Sequence, residues 1–145
     1  MARIKIELPE HFSFTTEIPV RITDLNYGAH VGNDTILSLI HEARMQWLTK
    51  LGYTSELNIE GIGLIMADAG IEFKSELFYG EKIFASVAVA GLTKIGFDVY
   101  YKLEKGDSVD RSLIALAKTG MLCFDYQKRK LVSVPDLFRG KLNYV

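Results

Sequence analysis

One segment of the chain, residues 21–51, constrains the fold more than any other, because it joins a polar loop directly to a long helical pattern. Apolar residues recur in the second part of this segment at spacings of three and four, which is the period of an α-helix. These apolar positions are Ile36, Leu37, Leu39, Ile40, Ala43, Met45, Trp47, Leu48 and Leu51. Their stripe covers more than half of the helix circumference, which is wider than an amphipathic surface helix needs. The pattern therefore predicts a central helix that is covered on several sides.

The two ends of this helix can be placed from the sequence. Asn33 is a suitable N-cap, and Asp34 puts a carboxylate in the first turn, where the helix dipole favours it. Gly52 supplies a residue that readily adopts the left-handed conformation, so we expect the helix to end at residues 50–51. Free N–H groups at a helix start can hold an anion or a developing oxyanion. The junction of loop and helix is therefore the best candidate site in the chain.

The rest of the chain is typical of β-strands joined by turns. The predicted strands cover residues 4–8, 12–21, 64–73, 82–92, 96–105, 112–126 and 131–134. Pro19 indicates that the second of them lies at an edge of the sheet or is irregular near its end. One early strand, one buried helix and several consecutive long strands indicate an α+β protein, in which an antiparallel sheet curls round the helix. Because one helix cannot cover such a sheet on all sides, we expect a homo-oligomer, either a dimer or a dimer of dimers.

The composition excludes several classes of function. The 145 residues fit one domain, spanning 1–145, and a net charge of −1 leaves no basic field for nucleic acid. The single Cys123 lies in an apolar run, which predicts a buried thiol in a reducing compartment, and no spacing of ligands suggests a metal or redox cofactor. The first twelve residues lack the apolar core of a signal peptide, and no apolar run approaches the ~20 residues of a membrane span. We therefore expect a cytoplasmic protein with no nucleic-acid or membrane partner.

The loop and helix resemble a known family. The segment R-I-T-D-L-N-Y-G-A-H-V-G-N, followed by a helix with Glu42-Ala43-Arg44, resembles the hotdog-fold acyl-CoA thioesterases of the 4-hydroxybenzoyl-CoA thioesterase type. That family commonly reads D-x-D-x-x-G-H-V-N-N and then E-x-A-R or E-E-A-R on the helix. The resemblance implies a hotdog fold, with an antiparallel sheet wrapped around one long central helix. It also implies hydrolysis of acyl-CoA or acyl-carrier thioesters to the free acid and the thiol, with CoA present only as part of the substrate.

The alignment, which runs without a gap from Arg21 to Arg44, implies three catalytic residues but contains one departure. Asp24 falls on the first Asp of the motif and His30 on its His, whereas Asn26 falls on the second Asp, which often carries catalysis in the family. An amide cannot act as nucleophile or general base. Asp24 could thus activate water, attack the thioester carbonyl directly or only form a turn. Asn26 could donate to the carbonyl oxygen or cap a turn, and His30 could shuttle a proton, orient the loop or simply pack.

Further residues are candidates for substrate binding. Gly32, Asn33 and Asp34 form the helix start, where their N–H groups could face the thioester; Asp34 is also the second choice for the base. Glu42 and Arg44 read as a structural pair. Asp68 interrupts an apolar strand, where a carboxylate is costly unless it is paired, so it could be a buried partner of His30 or an acid from a neighbouring subunit.

The last substrate-binding candidates are the basic residues Lys128 and Arg129, which lie on a predicted turn. They could hold the phosphates of a nucleotide-bearing thioester, or they could form only a solvated turn.

Two rival functions remain open at this stage. One is a non-catalytic acyl-CoA binding or sensing protein, which Asn26 in the place of an acid favours. The other is a hotdog dehydratase acting on hydroxyacyl thioesters, in which His30 and Asp68 would face one substrate across subunits.

Overall fold

A computed structural model describes residues 1–142 of the chain. The regular elements are β1 (Phe14–Pro19), α1 (Asn33–Lys50), β2 (Gly63–Phe73), β3 (Lys82–Ala90), β4 (Gly96–Gly106), β5 (Arg111–Asp125), β6 (Lys130–Leu131) and α2 (Asp136–Lys141). The strands form one antiparallel sheet in the order β1-β3-β4-β5-β2, and the short β6 pairs with β5. The α+β class and the long central helix are therefore confirmed.

The core lies between helix α1 and the inner face of the sheet. The inward side chains of strand β3, which lies between β1 and β4, are all fully buried; they are Ile83, Ala85, Val87 and Val89. From the helix, Ile40, Ala43 and Leu48 are equally inaccessible to solvent. Each such Leu or Ile stabilises the fold by about 1.5–3 kcal/mol relative to leaving it exposed. This burial fixes α1 against the sheet and so fixes the position of the loop that precedes it.

The structure confirms the predicted C-terminal end of α1 but not the predicted N-cap. Gly52 has a φ of 101°, so the left-handed residue after the helix is confirmed. At the start, Gly32 is the N-cap and Asn33 is already helical, so the prediction of Asn33 as N-cap is wrong. The carbonyl of Gly32 accepts the N–H groups of Thr35 and Ile36 (3.0 and 3.3 Å), a backbone role that needs no side chain.

The two edge strands of the sheet are β1 and β2. The edge position predicted for β1 from Pro19 is thus confirmed. In β2 the pairing with β5 shifts between Met66 and Asp68, which is a β-bulge. Such a bulge turns side chains out of the regular alternation and bends the strand.

Two terminal regions differ from the prediction. Residues 4–8 form no strand: Ile4 and Ile6 lie against Gly70 of β2, and the N–H of Ile6 donates to the side chain of Glu72 and not to a strand backbone. The last strand is Lys130–Leu131 and not residues 131–134, and helix α2 after Pro135 was not predicted. Phe138 of α2 is fully buried, so this helix closes the core near Tyr53. Within residues 1–142, no helix combines the length and hydropathy needed to cross a membrane.

Candidate active site

The loop before α1 begins with a short 3-10 helix, Ile22–Asp24, that Asp24 itself closes. The Asp24 carboxylate accepts the backbone N–H of Arg21 at 2.8 Å, and the Arg21 guanidinium lies 3.3 Å from its other oxygen. Only 4% of Asp24 is exposed. Both carboxylate oxygens are therefore engaged in fixing the start of the loop.

Asn26 is oriented by the turn that follows it. Its side-chain Oδ1 accepts the N–H of Gly28 at 2.8 Å, and its backbone N–H donates to the carbonyl of His30 at 2.9 Å. Ala29 has a φ of 63°, so the chain reverses within four residues. Because Oδ1 faces Gly28, the amide nitrogen Nδ2 of Asn26 is directed towards the start of α1.

Gly32 allows two polar side chains to meet at this helix start. A Cβ added to Gly32 would lie 2.6 Å from Oδ1 of Asp34, 3.5 Å from Cβ of Asn26 and 3.7 Å from its Nδ2. The amide of Asn26 and the carboxylate of Asp34 thus flank the space that a side chain at Gly32 would fill. The first N–H groups of an α-helix have no acceptor within the helix. An amide donor, free backbone donors and a carboxylate consequently converge at one point.

His30 lies on a different side of the helix start. Its Nδ1 is 3.2 Å from the carbonyl of Val31, and its ring meets the edge of Phe78 at a centroid distance of 6.5 Å. It lines a cavity of about 350 Å³ together with Asn33 and residues 73–77. The structure therefore places His30 beside the β2–β3 connection and not beside Asp34.

A second groove runs along α1 from Asp34 towards the middle of the helix. It has a volume of about 280 Å³ and is lined by Asp34, Leu37, Ser38, His41, Arg44 and Met66. We call it the α1–β2 groove. Its apolar wall consists of Leu37 and Met66, which are 38% and 44% exposed. Asp34 stands at one end of it, and His41 lies two turns further along the same helix.

A chain of hydrogen bonds connects the side chain of His41 to buried residues and fixes its position. Nε2 of His41 lies 2.6 Å from Oε1 of Glu56, and the other oxygen of Glu56 accepts Nε of Arg44 at 2.8 Å. The guanidinium of Arg44 also donates to the hydroxyl of Tyr101 (3.0 Å), which is 2.8 Å from the hydroxyl of Thr119. Arg44, Tyr101 and Thr119 are buried, so the network joins a groove residue to the interior of the sheet.

Two members of this network, Arg44 and Tyr101, have shifted pKa values. Burial opposes the charged form of Arg44, but the neighbouring Tyr101 and the hydrogen bonds with Glu56 and Tyr101 outweigh it, so the pKa of Arg44 lies above its ordinary value. Burial raises the pKa of Tyr101, which keeps its hydroxyl neutral. The predicted pair of Glu42 and Arg44 is wrong, because Arg44 binds Glu56 and Glu42 accepts Nε2 of Gln46 at 3.1 Å.

Asp68 is not the buried carboxylate that the strand pattern suggested. Its side chain is 63% exposed, because the bulge turns it outward. It accepts Nζ of Lys118 at 2.9 Å and the N–H of Gly120 at 2.8 Å, and these bonds, Lys118 first, hold the pKa of Asp68 below its ordinary value. Within the single chain Asp68 therefore pairs with Lys118 and not with His30.

Lys128 and Arg129 lie at the opposite end of the sheet from the loop. Near the start of β5, Ala115 pairs with Phe73, which lies close to His30. The other end of β5, at Asp125, leads into the Lys128–Arg129 turn. Ten strand residues span about 33 Å. One chain therefore does not bring these basic residues to the helix start, and Asp125 instead accepts the N–H of Lys128 at 2.9 Å to form the turn.

His41 and Glu56 are the groove residues that the sequence reasoning missed. A signal for His41 was present, since it lies seven positions after Asp34 and two helical turns bring such residues to one face. Glu56 carried no comparable signal, because it lies in an irregular connection. Across the described part of the chain, no group of three or more His, Cys, Asp or Glu side chains is arranged to hold a metal ion.

The fold and the polar helix start together define a hotdog-type protein of the thioesterase class. The family described as the thioesterase-like superfamily matches residues 20–142, and the chain belongs to it. The family, the fold and the thioester-hydrolase class predicted from the sequence are thereby confirmed.

Individual relatives fit this assignment. A 1,4-dihydroxy-2-naphthoyl-CoA hydrolase from Microcystis aeruginosa is 28% identical over 125 residues, which cover 82% of this chain and 81% of that protein. Among solved structures, a 1,4-dihydroxy-2-naphthoyl-CoA thioesterase from Synechocystis has a TM-score of 0.79 at 23% identity, covering 89% of this chain and 94% of that one. A mutant 4-hydroxybenzoyl-CoA thioesterase complexed with 4-hydroxybenzoyl-CoA has a TM-score of 0.80 at 13% identity, covering 90% and 98%. The two structures share the fold with this chain.

Proposed function

We propose that this protein hydrolyses acyl-CoA thioesters at the start of α1, with Asp34 as the general base. The observation that carries the proposal is the convergence of the Asn26 amide and the Asp34 carboxylate beside Gly32. Asn26 cannot accept a proton, and the carboxylate of Asp24 is buried against Arg21. Asp34 is exposed and borders the α1–β2 groove, so a water molecule and a substrate can both reach it.

The reaction follows from these positions. The thioester carbonyl oxygen is held by Nδ2 of Asn26 and by N–H groups at the start of α1, while Asp34 removes a proton from water as the water oxygen attacks the carbonyl carbon. The tetrahedral intermediate carries its negative charge on the held oxygen, where one such donor typically contributes about 2.7–4 kcal/mol. Collapse of the intermediate breaks the carbon–sulfur bond, and the thiolate takes the proton from Asp34. The products are the free acid and CoA.

The CoA part of the substrate is supported by the named activities of the relatives, which act on CoA thioesters. In this proposal Asp24 fixes the loop, and His30 shapes the neighbouring cavity of the β2–β3 connection.

The test compares Asp34→Asn with Asp24→Asn on a panel of short, long and aromatic acyl-CoA thioesters, with thiol release as the readout. General-base catalysis typically contributes 10²–10⁴-fold, so Asp34→Asn should lower kcat by at least about 100-fold at unchanged melting temperature. Asp24→Asn should chiefly lower the melting temperature. A collapse of kcat in Asp24→Asn alone would return the base to Asp24. Stoichiometric acyl-CoA binding without turnover by the wild type would instead establish a sensing protein.

We further propose that the protein is a homo-oligomer in which a second copy covers the edge of β2 and leaves the α1–β2 groove open to the substrate. Strand β2 is an edge of the sheet, and the exposed Met66 and Leu37 lie next to each other along the α1–β2 groove. An unpaired edge beside an apolar groove is a surface that proteins usually cover. A light-scattering mass equal to 16.3 kDa, the mass of one chain, would contradict this.

A further inference from the structure

The α1–β2 groove combines an apolar wall with a polar group at its far end. Asp34, Leu37, Ser38 and His41 follow one another at helical spacing along it, and Met66 of β2 faces them. Seven residues of α-helix rise about 10 Å. An acyl group whose carbonyl reacts beside Asp34 therefore passes Leu37 and Met66 and reaches His41 after about two helical turns.

The partner of His41 determines what its ring can bind. Glu56 is held by the buried cation Arg44 and presents a carboxylate oxygen to Nε2 at 2.6 Å. A carboxylate only accepts, so Nε2 carries the proton, and Nδ1 of the neutral ring is then an acceptor with a free lone pair. No hydrogen bond to Nδ1 is formed within residues 1–142, and the side chain is 57% exposed. The free edge of the ring is thus available to a ligand.

We propose that His41 is a specificity-determining residue that accepts a hydrogen bond from a hydroxyl group at the distal end of the acyl chain. The proposal rests on the function proposed above, because the carbonyl must react at the start of α1. The substrate class it selects is an acyl-CoA with an apolar body and a hydroxyl about 10 Å from the thioester carbon. A methyl ether at the same place has no proton to donate and adds a methyl group against the ring, so the site discriminates against it.

The expected size of the preference follows from the exposure of the ring. Sites that bury the group pairing with a substrate hydroxyl reject the analogue lacking it by 10⁴–10⁵-fold. His41 is more than half exposed, so water can replace the lost partner, and we expect a preference of about 10- to 100-fold in kcat/KM.

The test uses three thioesters that differ only at the distal position: 4-hydroxycinnamoyl-CoA, 4-methoxycinnamoyl-CoA and cinnamoyl-CoA. The wild type should prefer the hydroxyl compound to both others by about 10- to 100-fold in kcat/KM. His41→Phe keeps a ring in the groove but has no acceptor, so the ratio of kcat/KM between the hydroxyl compound and cinnamoyl-CoA should fall to about one. His41→Asn places a carbonyl oxygen near the position of Nδ1 and should restore part of the preference.

The matched control is His11→Phe, since His11 is exposed and lies outside the grooves along α1; this variant should keep the wild-type ratios. Equal turnover of all three thioesters by the wild type, or an unchanged hydroxyl preference in His41→Phe, would overturn the role of His41 and leave the hydrolase intact. No turnover of these or any other acyl-CoA by the wild type would overturn the proposed function itself, and the role of His41 with it.

Discussion

The polar groups at the start of helix α1 differ from those in its middle in whether they already have hydrogen-bond partners. At the start, Asn26 and Asp34 converge beside backbone donors that have no partner inside the helix, and the region is open to solvent. In the middle, Arg44 is buried and bonded to both Glu56 and Tyr101. The same helix thus carries a polar region that is free to bind a substrate and another that is occupied in holding the fold. The difference teaches that partners, and not the position of a residue in a motif, separate a chemical role from a structural one.

The largest effect on stability is expected from breaking the middle of the helix. Arg44→Met keeps the length of the side chain but leaves Glu56 without its buried cation, and breaking a buried ion pair typically costs 3–5 kcal/mol. Because Glu56 is still 17% exposed and keeps His41, we expect about 3 kcal/mol, measured by urea unfolding. Lys50→Met, an exposed change on the same helix, should stay within about 0.5 kcal/mol. A loss below 1 kcal/mol for Arg44→Met would show that the network is not structural.

The complementary change is Gly32→Ala at the start of the helix. The backbone of Gly32 has a φ of −69°, which Ala adopts freely, but its Cβ would lie 2.6 Å from Oδ1 of Asp34. The carboxylate can rotate away at little cost in stability, so kcat should fall by about 10- to 100-fold while the melting temperature changes little. Gly140→Ala, where a Cβ meets nothing within 4 Å, is the control. Full activity in Gly32→Ala would mean that the position of Asp34 does not matter.

The comparison also shows which parts of this molecule can be predicted from its sequence. Helix α1 and strands β2 to β5 could be predicted from the periodicity of their apolar residues, since each element is long enough for the pattern to repeat several times. The wrong prediction of the N-cap has a physical cause. Asn33 has a side chain that is preferred at N-caps, but the side chains of Asn26 and Asp34 approach each other closely beside residue 32, so that position requires a glycine. Residues 4–8 alternate like a strand, yet the N–H of Ile6 donates to the side chain of Glu72 and not to a strand backbone.

The candidate site was predictable only in part. The loop motif located the helix start, and Asp34 was named there as an alternative base. The helical spacing from Asp34 indicates His41, but its partner Glu56 lies in an irregular connection fifteen residues later, and no local pattern encodes that contact. Asp68 was misjudged because a β-bulge, invisible in the sequence, reverses the direction of its side chain.

A smaller effect is expected at Arg21, and it distinguishes between Asp24 and Asp34, the carboxylates at the two ends of the loop. Arg21→Met removes the guanidinium from Asp24 but leaves the backbone N–H bond, so the free energy of unfolding should fall by about 1 kcal/mol. If Asp34 is the base, kcat should stay within about threefold of the wild type, because Arg21 contacts Asp24 and not Asp34. A fall in kcat of about tenfold or more would point to Asp24 as the base.

The smallest effect is expected far from the helix, at the bulge of β2. Lys118 lowers the pKa of Asp68 below its ordinary value of 3.8, so their pairing stabilises the fold at neutral pH and loses this contribution as Asp68 is protonated below pH 3.8. Because the Asp68 side chain is 63% exposed, Lys118→Met should cost under about 1 kcal/mol at pH 7, and the difference from the wild type should vanish in acid. Thermal unfolding between pH 2 and pH 7 measures this. A deficit that persists in acid would mean that Lys118 stabilises the sheet by packing of its aliphatic stem and not through its charge.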